Sequence, residues 1–218
     1  MGRKVNPKAF RIATIRGWDS NWFAKKDFPA LLEEDHNIRT FLEKELKDAA
    51  VDHVAIERAT KSITVTIHSA KPGFIIGRSG AGIEELKKKL MGKYYRGKRV
   101  NINLNVQEVS KPSLSANIVG QQIAADLEKR MPFRRSMKQA IERVMKAGAK
   151  GVKIAVAGRL NGADIARTEQ ISDGSIPLHN LRADVDFARV RAWATYGAIG
   201  VKVWINRGEV FEDDKKTT

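Results

Sequence analysis

The run from Val100 to Gln107 alternates without fault: Val100, Ile102, Leu104 and Val106 are apolar, and Asn101, Asn103, Asn105 and Gln107 are polar amides. A period of two puts all the apolar side chains on one face of a strand and all the amides on the other, so this segment requires a core on one side only. Shorter alternations precede it. Val54 and Ile56 form one, and Ile63, Val65 and Ile67 alternate with Thr64, Thr66 and His68. The brief link Ala59-Thr60-Lys61 predicts a hairpin between them. Around these strands the period changes to about 3.6. Residues 30–50 place Leu31, Ile38, Phe41, Leu42 and Leu46 on one helical stripe, with Glu33, Glu34 and Asp35 suited to its first turn. Another helix follows Gly80, with Ile83, Leu86, Leu90 and Tyr94 as its stripe.

Ser110-Lys111-Pro112 marks a boundary. Beyond it Ala116, Val119, Ile123 and Leu127 trace one helix face. Phe133, Met137, Ile141 and Val144 trace a second, with Pro132 at its start and Gly148 as its stop. Val152, Ile154 and Val156 mark a strand, and residues 165–171, 181–192 and 199–205 read as further strands of the same sheet. The chain therefore reads as α+β, in two domains split near residue 110. The first covers 29–109. The second covers 110–210, with two helices packed on a small mixed sheet. Residues 1–28 form a basic, aromatic arm, with Trp18, Trp22 and Phe23 close together, and residues 211–218 form a short polar tail.

Charge narrows the partners. Forty Lys and Arg against 25 acidic residues leave a formal net charge of +15, which calls for a polyanion. Nucleic acid fits. A membrane fits poorly: no apolar run approaches the roughly 18 residues needed to cross a bilayer, and the helices carry core-sized stripes. Residues 1–10 have no apolar centre like a signal peptide's, and Asn6 stands where myristoylation requires Ser or Thr. Without cysteine there are no disulfides, thiolate zinc sites or cysteine nucleophiles. The four histidines lie far apart in sequence, and none forms a metal-type pair, so solvent-facing or core roles are expected for them and no cofactor is expected.

Gly77-Arg78-Ser79-Gly80 matches the GxxG loop with which KH domains clamp four nucleotides of backbone. The string alone carries little, because this chain has two more, at 148–151 and 197–200. Only the first lies between two helical stretches, after an apolar turn over Phe74, Ile75 and Ile76 and before an amphipathic helix. Glycines let backbone approach phosphates, the following helix offers free N–H groups, and Arg78 adds charge. Nine basic and two acidic residues between Lys71 and Arg99 favour RNA contact over a plain helix–turn–helix loop or a C-cap. Two nearby strings are decoys. In residues 92–99 the GxxxxGK pattern is followed by Arg99 where Ser or Thr would hold magnesium, and it precedes a strand rather than following one. Gly80-Ala81-Gly82 lacks the third glycine of a dinucleotide fingerprint.

Arg134, Arg135 and Lys138 group three positive heads on one side of a helix. Such clusters are usually solvated faces. The further excess from Arg130, Arg143 and Lys146 favours a strip that tracks a phosphate backbone without regard to sequence. Asp184 and Asp186 superficially resemble a carboxylate pair, but read better as a half-exposed strand face near Arg182 and Arg189. No Ser-His-Asp elbow or HExxH helix is present, so no enzyme is expected.

Several stretches together resemble one family. They are Met1-Gly2-Arg3-Lys4-Val5-Asn6-Pro7, the segment from Trp18 to Ala24, Ile76-Gly77-Arg78-Ser79-Gly80, the segment from Met131 to Lys138, the segment from Gly162 to Glu169, and the segment from Tyr196 to Ile205. In order along nearly the whole chain, they are similar to the bacterial small-subunit ribosomal protein three family. The resemblance implies a type II KH domain followed by a second α/β domain, on the head of the small ribosomal subunit in the cytoplasm. It implies small-subunit rRNA as a lasting partner and messenger RNA as a passing one. Residues matching Arg134, Arg135 and Lys138 would line the place where messenger enters its channel and help unwind it without ATP. Arg3, Lys4, Arg11, Lys71, Arg159 and Arg167 are expected as further rRNA contacts. Small-subunit proteins four and five would be neighbours at the channel, and ten and fourteen on the head. No membrane or small-molecule substrate is implied. Two departures stand out. The chain stops soon after Val210, short of the basic extension some members carry, and Asp164 and Asn161 stand where Glu and Gly are more usual. The competing reading is a stand-alone RNA-processing factor or nucleic-acid enzyme with a KH domain, which detectable nucleotide- or metal-dependent turnover would reveal.

Overall fold

The computed structural model describes residues 4–59, 62–95 and 101–211. Arg3, the Thr60-Lys61 link, residues 96–100 (with Val100 and the end of the GxxxxGK string) and the tail beyond Phe211 lie outside the described residues. The chain opens with α1 (Pro7–Phe10), β1 (Ser20–Asn21) and α2 (Phe28–Glu45). There follow β2 (Val51–Arg58), β3 (Ser62–Ser69), α3 (Pro72–Ile76), α4 (Ala81–Tyr94) and β4 (Asn101–Glu108). Next are α5 (Ala116–Glu128), α6 (Phe133–Lys146) and β5 (Gly151–Gly158), and last β6 (Arg167–Gly174), β7 (Ala183–Ala194) and β8 (Gly197–Glu209). Two compact units result: residues 18–110, and residues 111–218 together with 1–17. The stretch read as a single arm is thus divided between them.

In the unit of residues 18–110 the sheet order is β1-β2-β3-β4. β2 and β3 are antiparallel, whereas β3 and β4 run parallel from Ser62 opposite Asn101 to Ser69 opposite Glu108. A parallel neighbour requires a crossover connection. Helices α3 and α4 supply it, which leaves Gly77-Arg78-Ser79-Gly80 as the joint between them. Ile56, Ile63, Val65, Ile67 and Ile102 are buried with Ile38, Phe41 and Leu42 of α2 and Leu86 and Leu90 of α4. Each such side chain contributes about 1.5–3 kcal/mol by leaving water.

One buried charge fastens the arm here. The carboxylate of Asp35, with no exposed surface, accepts from Ser20 Oγ at 2.9 Å, Trp22 Nε1 at 2.8 Å and Arg58 Nε at 2.8 Å. Arg58 also reaches Glu34 at 2.9 Å, to which the Tyr95 hydroxyl donates. Burial pushes that phenol up to about 12. These bonds hold β1 beside β2, where it pairs in parallel with Ser20 opposite Ile56.

In the second unit the order is β6-β5-β8-β7, and every neighbouring pair is antiparallel. The mixed sheet expected for this unit is thereby corrected. β5 leads into its antiparallel neighbour β6 and β7 into β8, residues 175–182 link β6 and β7 at opposite edges, and between β5 and β8 no α-helix carries a parallel crossover. Helices α5 and α6 cover one face. Val119, Ile123, Leu127, Phe133, Met137, Ile141 and Val144 meet Val152, Ile154, Val156, Val201, Val203 and Ile205 in one core. A methyl group at Gly120 would come within 2.8 Å of Val190 Cγ2, so glycine there sets how closely α5 lies on β7.

Asp186 on β7 is a buried carboxylate of this unit, at 1% exposure. Its carboxylate lies 3.0 Å from Lys8 Nζ and 3.2 Å from guanidinium nitrogens of both Arg16 and Arg207. It also accepts the Ala116 N–H, at the start of α5, at 2.8 Å. Burial alone would push the carboxyl up, but the charges of Lys8, Arg16 and Arg207 and the Ala116 N–H hold it well below the usual carboxylate range. A carboxyl depressed on folding contributes stability that is full above its unfolded value, about pH 4, and is lost as the pH falls. Asp186→Asn is therefore expected to cost about 2–4 kcal/mol at pH 7, measured by denaturant unfolding. The gap from the native chain should narrow as the pH is lowered toward 3, and an equal gap at both pH values would contradict this account.

Candidate nucleic-acid interface

Between α3 and α4 the backbone turns through left-handed conformations. Gly77 has φ +67° and Gly80 has φ +82°, values an L side chain rarely adopts. Ser79 at the apex also lies there, at φ 53° and ψ 27°. No side chain caps α4; its Ala81 N–H bonds the Arg78 carbonyl within the loop, and the N-terminal end of the helix faces the loop. Arg78 and Ser79 are exposed, as is Phe74 at 70%, with Lys71 Nζ 5.6 Å from its ring. The loop thus offers a phosphate its backbone donors and two cations, and a base the Phe74 ring. The role of Gly82 was not visible in sequence. A Cβ there would stand 2.5 Å from the Ile75 carbonyl oxygen, so Gly82 lets α4 cross α3 in backbone contact and holds the loop closed.

On α6, Arg134, Arg135 and Lys138 are exposed, while Phe133, Met137 and Ile141 are buried beneath them. The strip is partly neutralised. Arg134 donates through Nε and Nη2 to the two oxygens of Glu169 on β6, at 3.0 and 3.1 Å. Arg167 Nε stands 3.3 Å from the same carboxylate. The hydrogen bond from Arg134 holds Glu169 below its ordinary value, and Glu169 in turn raises Arg134. Among the described residues Arg135 and Lys138 have no carboxylate partner. Arg167 lies opposite Gly158 and Gly200 opposite Ala157, so the loop after β5, the start of β6 and the β7–β8 turn share one end of the sheet. Arg159 at that end donates to the Ala163 carbonyl and Asp164, both at 2.9 Å, and lies 5.4 Å from the Tyr196 ring.

Other expected contacts fall elsewhere. Lys4 and Lys71 are exposed, and Arg3 lies outside the described residues. Arg11 is not a surface contact. Fully buried, it donates through Nη1 and Nη2 to the carbonyls of Pro7, Pro177, Leu178 and Asn180 at 2.8–3.2 Å, which holds the N-terminal segment to a loop of its own unit. Asp184 and Asp186 likewise pair with Arg16 and Arg207 rather than with Arg182 or Arg189. His53 and His68, remote in sequence, stack across β2 and β3 with ring centroids 4.0 Å apart. Among the described residues no group of three His, Cys, Asp or Glu is arranged to hold a metal ion.

The KH domain family matches residues 37–114, which span the α3–α4 loop, and the family "Ribosomal protein S3, C-terminal domain" matches residues 123–205, which include α6 and Glu169. The chain is 53% identical over all its length to the small ribosomal subunit protein uS3 of Ligilactobacillus salivarius, covering 98% of that protein. It is 54% identical to uS3 of Bacillus anthracis, again over the whole chain and 98% of the relative. The chain belongs to the uS3 family. A KH domain followed by a second α/β domain is the architecture these matches support, and both candidate surfaces lie inside the matched regions.

Glu169 is the carboxylate that Arg134 and Arg167 share at the basic end of this uS3-family chain. Glu169→Gln would release Arg134 and Arg167, and the purified protein should then bind single-stranded RNA more tightly. The slope of log affinity against log salt should steepen by about one, as read by fluorescence anisotropy. Weaker binding would mean that Glu169 is needed to aim the two guanidinium groups.

Proposed function

We propose that this chain is a structural component of the head of the small ribosomal subunit, that it binds small-subunit rRNA, and that it contacts messenger RNA where the messenger enters its channel. The observation that carries the messenger role is the exposed cationic pair Arg135 and Lys138 beside Arg134 on α6. One turn of helix separates Arg134 from Lys138, about 6 Å along the axis, so the heads can follow successive stretches of a backbone. Cations held on a rigid helix favour separated strands by exchanging condensed counterions for fixed charge. The unwinding is passive, and no nucleotide is hydrolysed by this chain.

Lys4, Lys71, Arg159 and Arg167, with Gly77-Arg78-Ser79-Gly80, are the remaining proposed RNA contacts. Proteins four and five at the channel, and ten and fourteen on the head, are the proposed neighbours. The role is architectural rather than catalytic, and its place is the cytoplasmic ribosome of a bacterium. In ribosomes carrying Arg134→Ala, Arg135→Ala and Lys138→Ala together, passage through a stable messenger hairpin should slow several-fold. Assembly and passage over unstructured messenger should be unaffected. An unchanged rate through the hairpin would remove the role assigned to the helix.

A further inference from the structure

The sheet of the second unit has a face turned away from α5 and α6, and its register sorts that face into rows. Phe187, Trp204, Lys153 and Ser172 form one row across the four strands. Arg189, Lys202, Ala155 and Gln170 form the next, and Arg191, Gly200, Ala157 and Thr168 the third. Trp193 opposite Ala198 ends the face. It carries four cations and no carboxylate, because Asp184, Asp186 and Glu169 all project toward the helices. Arg189, Arg191 and Lys202 are exposed and have no carboxylate partner among the described residues. Arg189 and Lys202 stand directly opposite each other, and like charges so placed are unfavourable unless an anion joins them.

Aromatic groups lie at both ends. The Phe187 and Trp204 rings are 5.1 Å apart with Lys153 Nζ 5.7 Å over Trp204, and Trp193 is 65% exposed. Between them Ala155, Ala157, Ala198 and Gly200 leave a flat floor. From Phe187 to Trp193 the face runs about 20 Å, room for several nucleotides. The sheet of the other unit differs. On β3 and β4 its outward Ser62, Thr64, Thr66, Asn101, Asn103, Asn105 and Gln107 are neutral, and Glu57 of β2, opposite Thr64, is acidic. The combination of phosphate-binding cations with exposed rings on an open four-stranded sheet suits single-stranded RNA, whose bases stack on rings while cations take its phosphates.

We propose that this face is a second RNA-binding surface, with Lys153, Arg189, Arg191 and Lys202 on the phosphates and Trp193 and Trp204 stacking unpaired bases. The proposal rests on the reading of the chain as an RNA-binding protein and adds a surface to it. Its test is anisotropy binding of the purified full chain to a single-stranded RNA across a salt series. The triple variant Arg189→Gln, Arg191→Gln, Lys202→Gln should lose at least about ten-fold in affinity and about two units of salt slope. The equal-charge control Lys25→Gln, Lys26→Gln, Lys47→Gln, at exposed positions of the other unit, should lose far less. Trp193→Ala should lose roughly five-fold or more, and Trp193→Phe should restore it.

On the unaltered chain, ultraviolet crosslinks to RNA should fall within β7 and β8. Crosslinks absent from β7 and β8, or equal losses in the triple variant and the control, would overturn the proposal. If the triple variant binds normally while Arg135→Ala, Lys138→Ala weakens binding, the face is not an RNA surface and is left to an acidic protein neighbour, with the general reading intact. A native chain that binds no RNA at all would overturn both.

Discussion

A single carboxylate, Asp186, organises the second unit. Placing it under the helices is costly, since a buried charge loses its hydration. Three cations and two backbone N–H groups offset that cost, drawn from several parts of the chain: Lys8 and Arg16 from the N-terminal segment, Arg207 from β8, Ala116 from the start of α5, and Phe187 from β7 itself. Such a cluster adds less net stability than its contacts suggest, but removing the Asp186 carboxylate takes the partner from Lys8 and leaves Arg16 and Arg207 with Asp184 alone. Its effect is on specificity. The N-terminal segment has one place to lie, against β7, and Arg11 then completes the seam by bonding four carbonyls. Asp35 does the same for residues 18–22 in the other unit through Ser20, Trp22 and Arg58.

What was legible in the sequence follows from periodicity. The alternation at β3 and β4, the stripes of α2, α4, α5 and α6 and the break near residue 110 all report side chains sorted by water. The GxxG loop was legible because its flanking helices were. Interactions between residues distant in sequence have no period and left no such trace. That is why residues 1–28 read as one arm, why Arg11 read as an RNA contact, and why Asp184 and Asp186 were given the wrong cations. Neutralisation of Arg134 by Glu169 depends on where α6 crosses β6, which no spacing reveals. The alternation Phe187, Arg189, Arg191, Trp193 was present in the sequence, but its meaning depended on knowing which sheet face the helices cover.

Charge is therefore distributed with some care. In the second unit Asp184 and Asp186 are turned inward and Glu169 clamps Arg134 and Arg167, while Glu142, Asp164, Asp173 and Glu209 stay exposed. Cations are left outward on α6, on the loop after β5 and on the open sheet. In the first unit the outward amides of β4 carry no charge, and the cations gather at α3, α4 and their loop. A chain of net charge +15 thus presents its excess at a few surfaces rather than uniformly.

The central claim is that these surfaces hold the protein in the small ribosomal subunit. Sedimentation of a cell lysate through a sucrose gradient at low and at high salt, with the chain followed by immunoblot, tests it most directly. The account predicts co-migration with the small subunit at both salts. A chain found at the top of the gradient in both would contradict it.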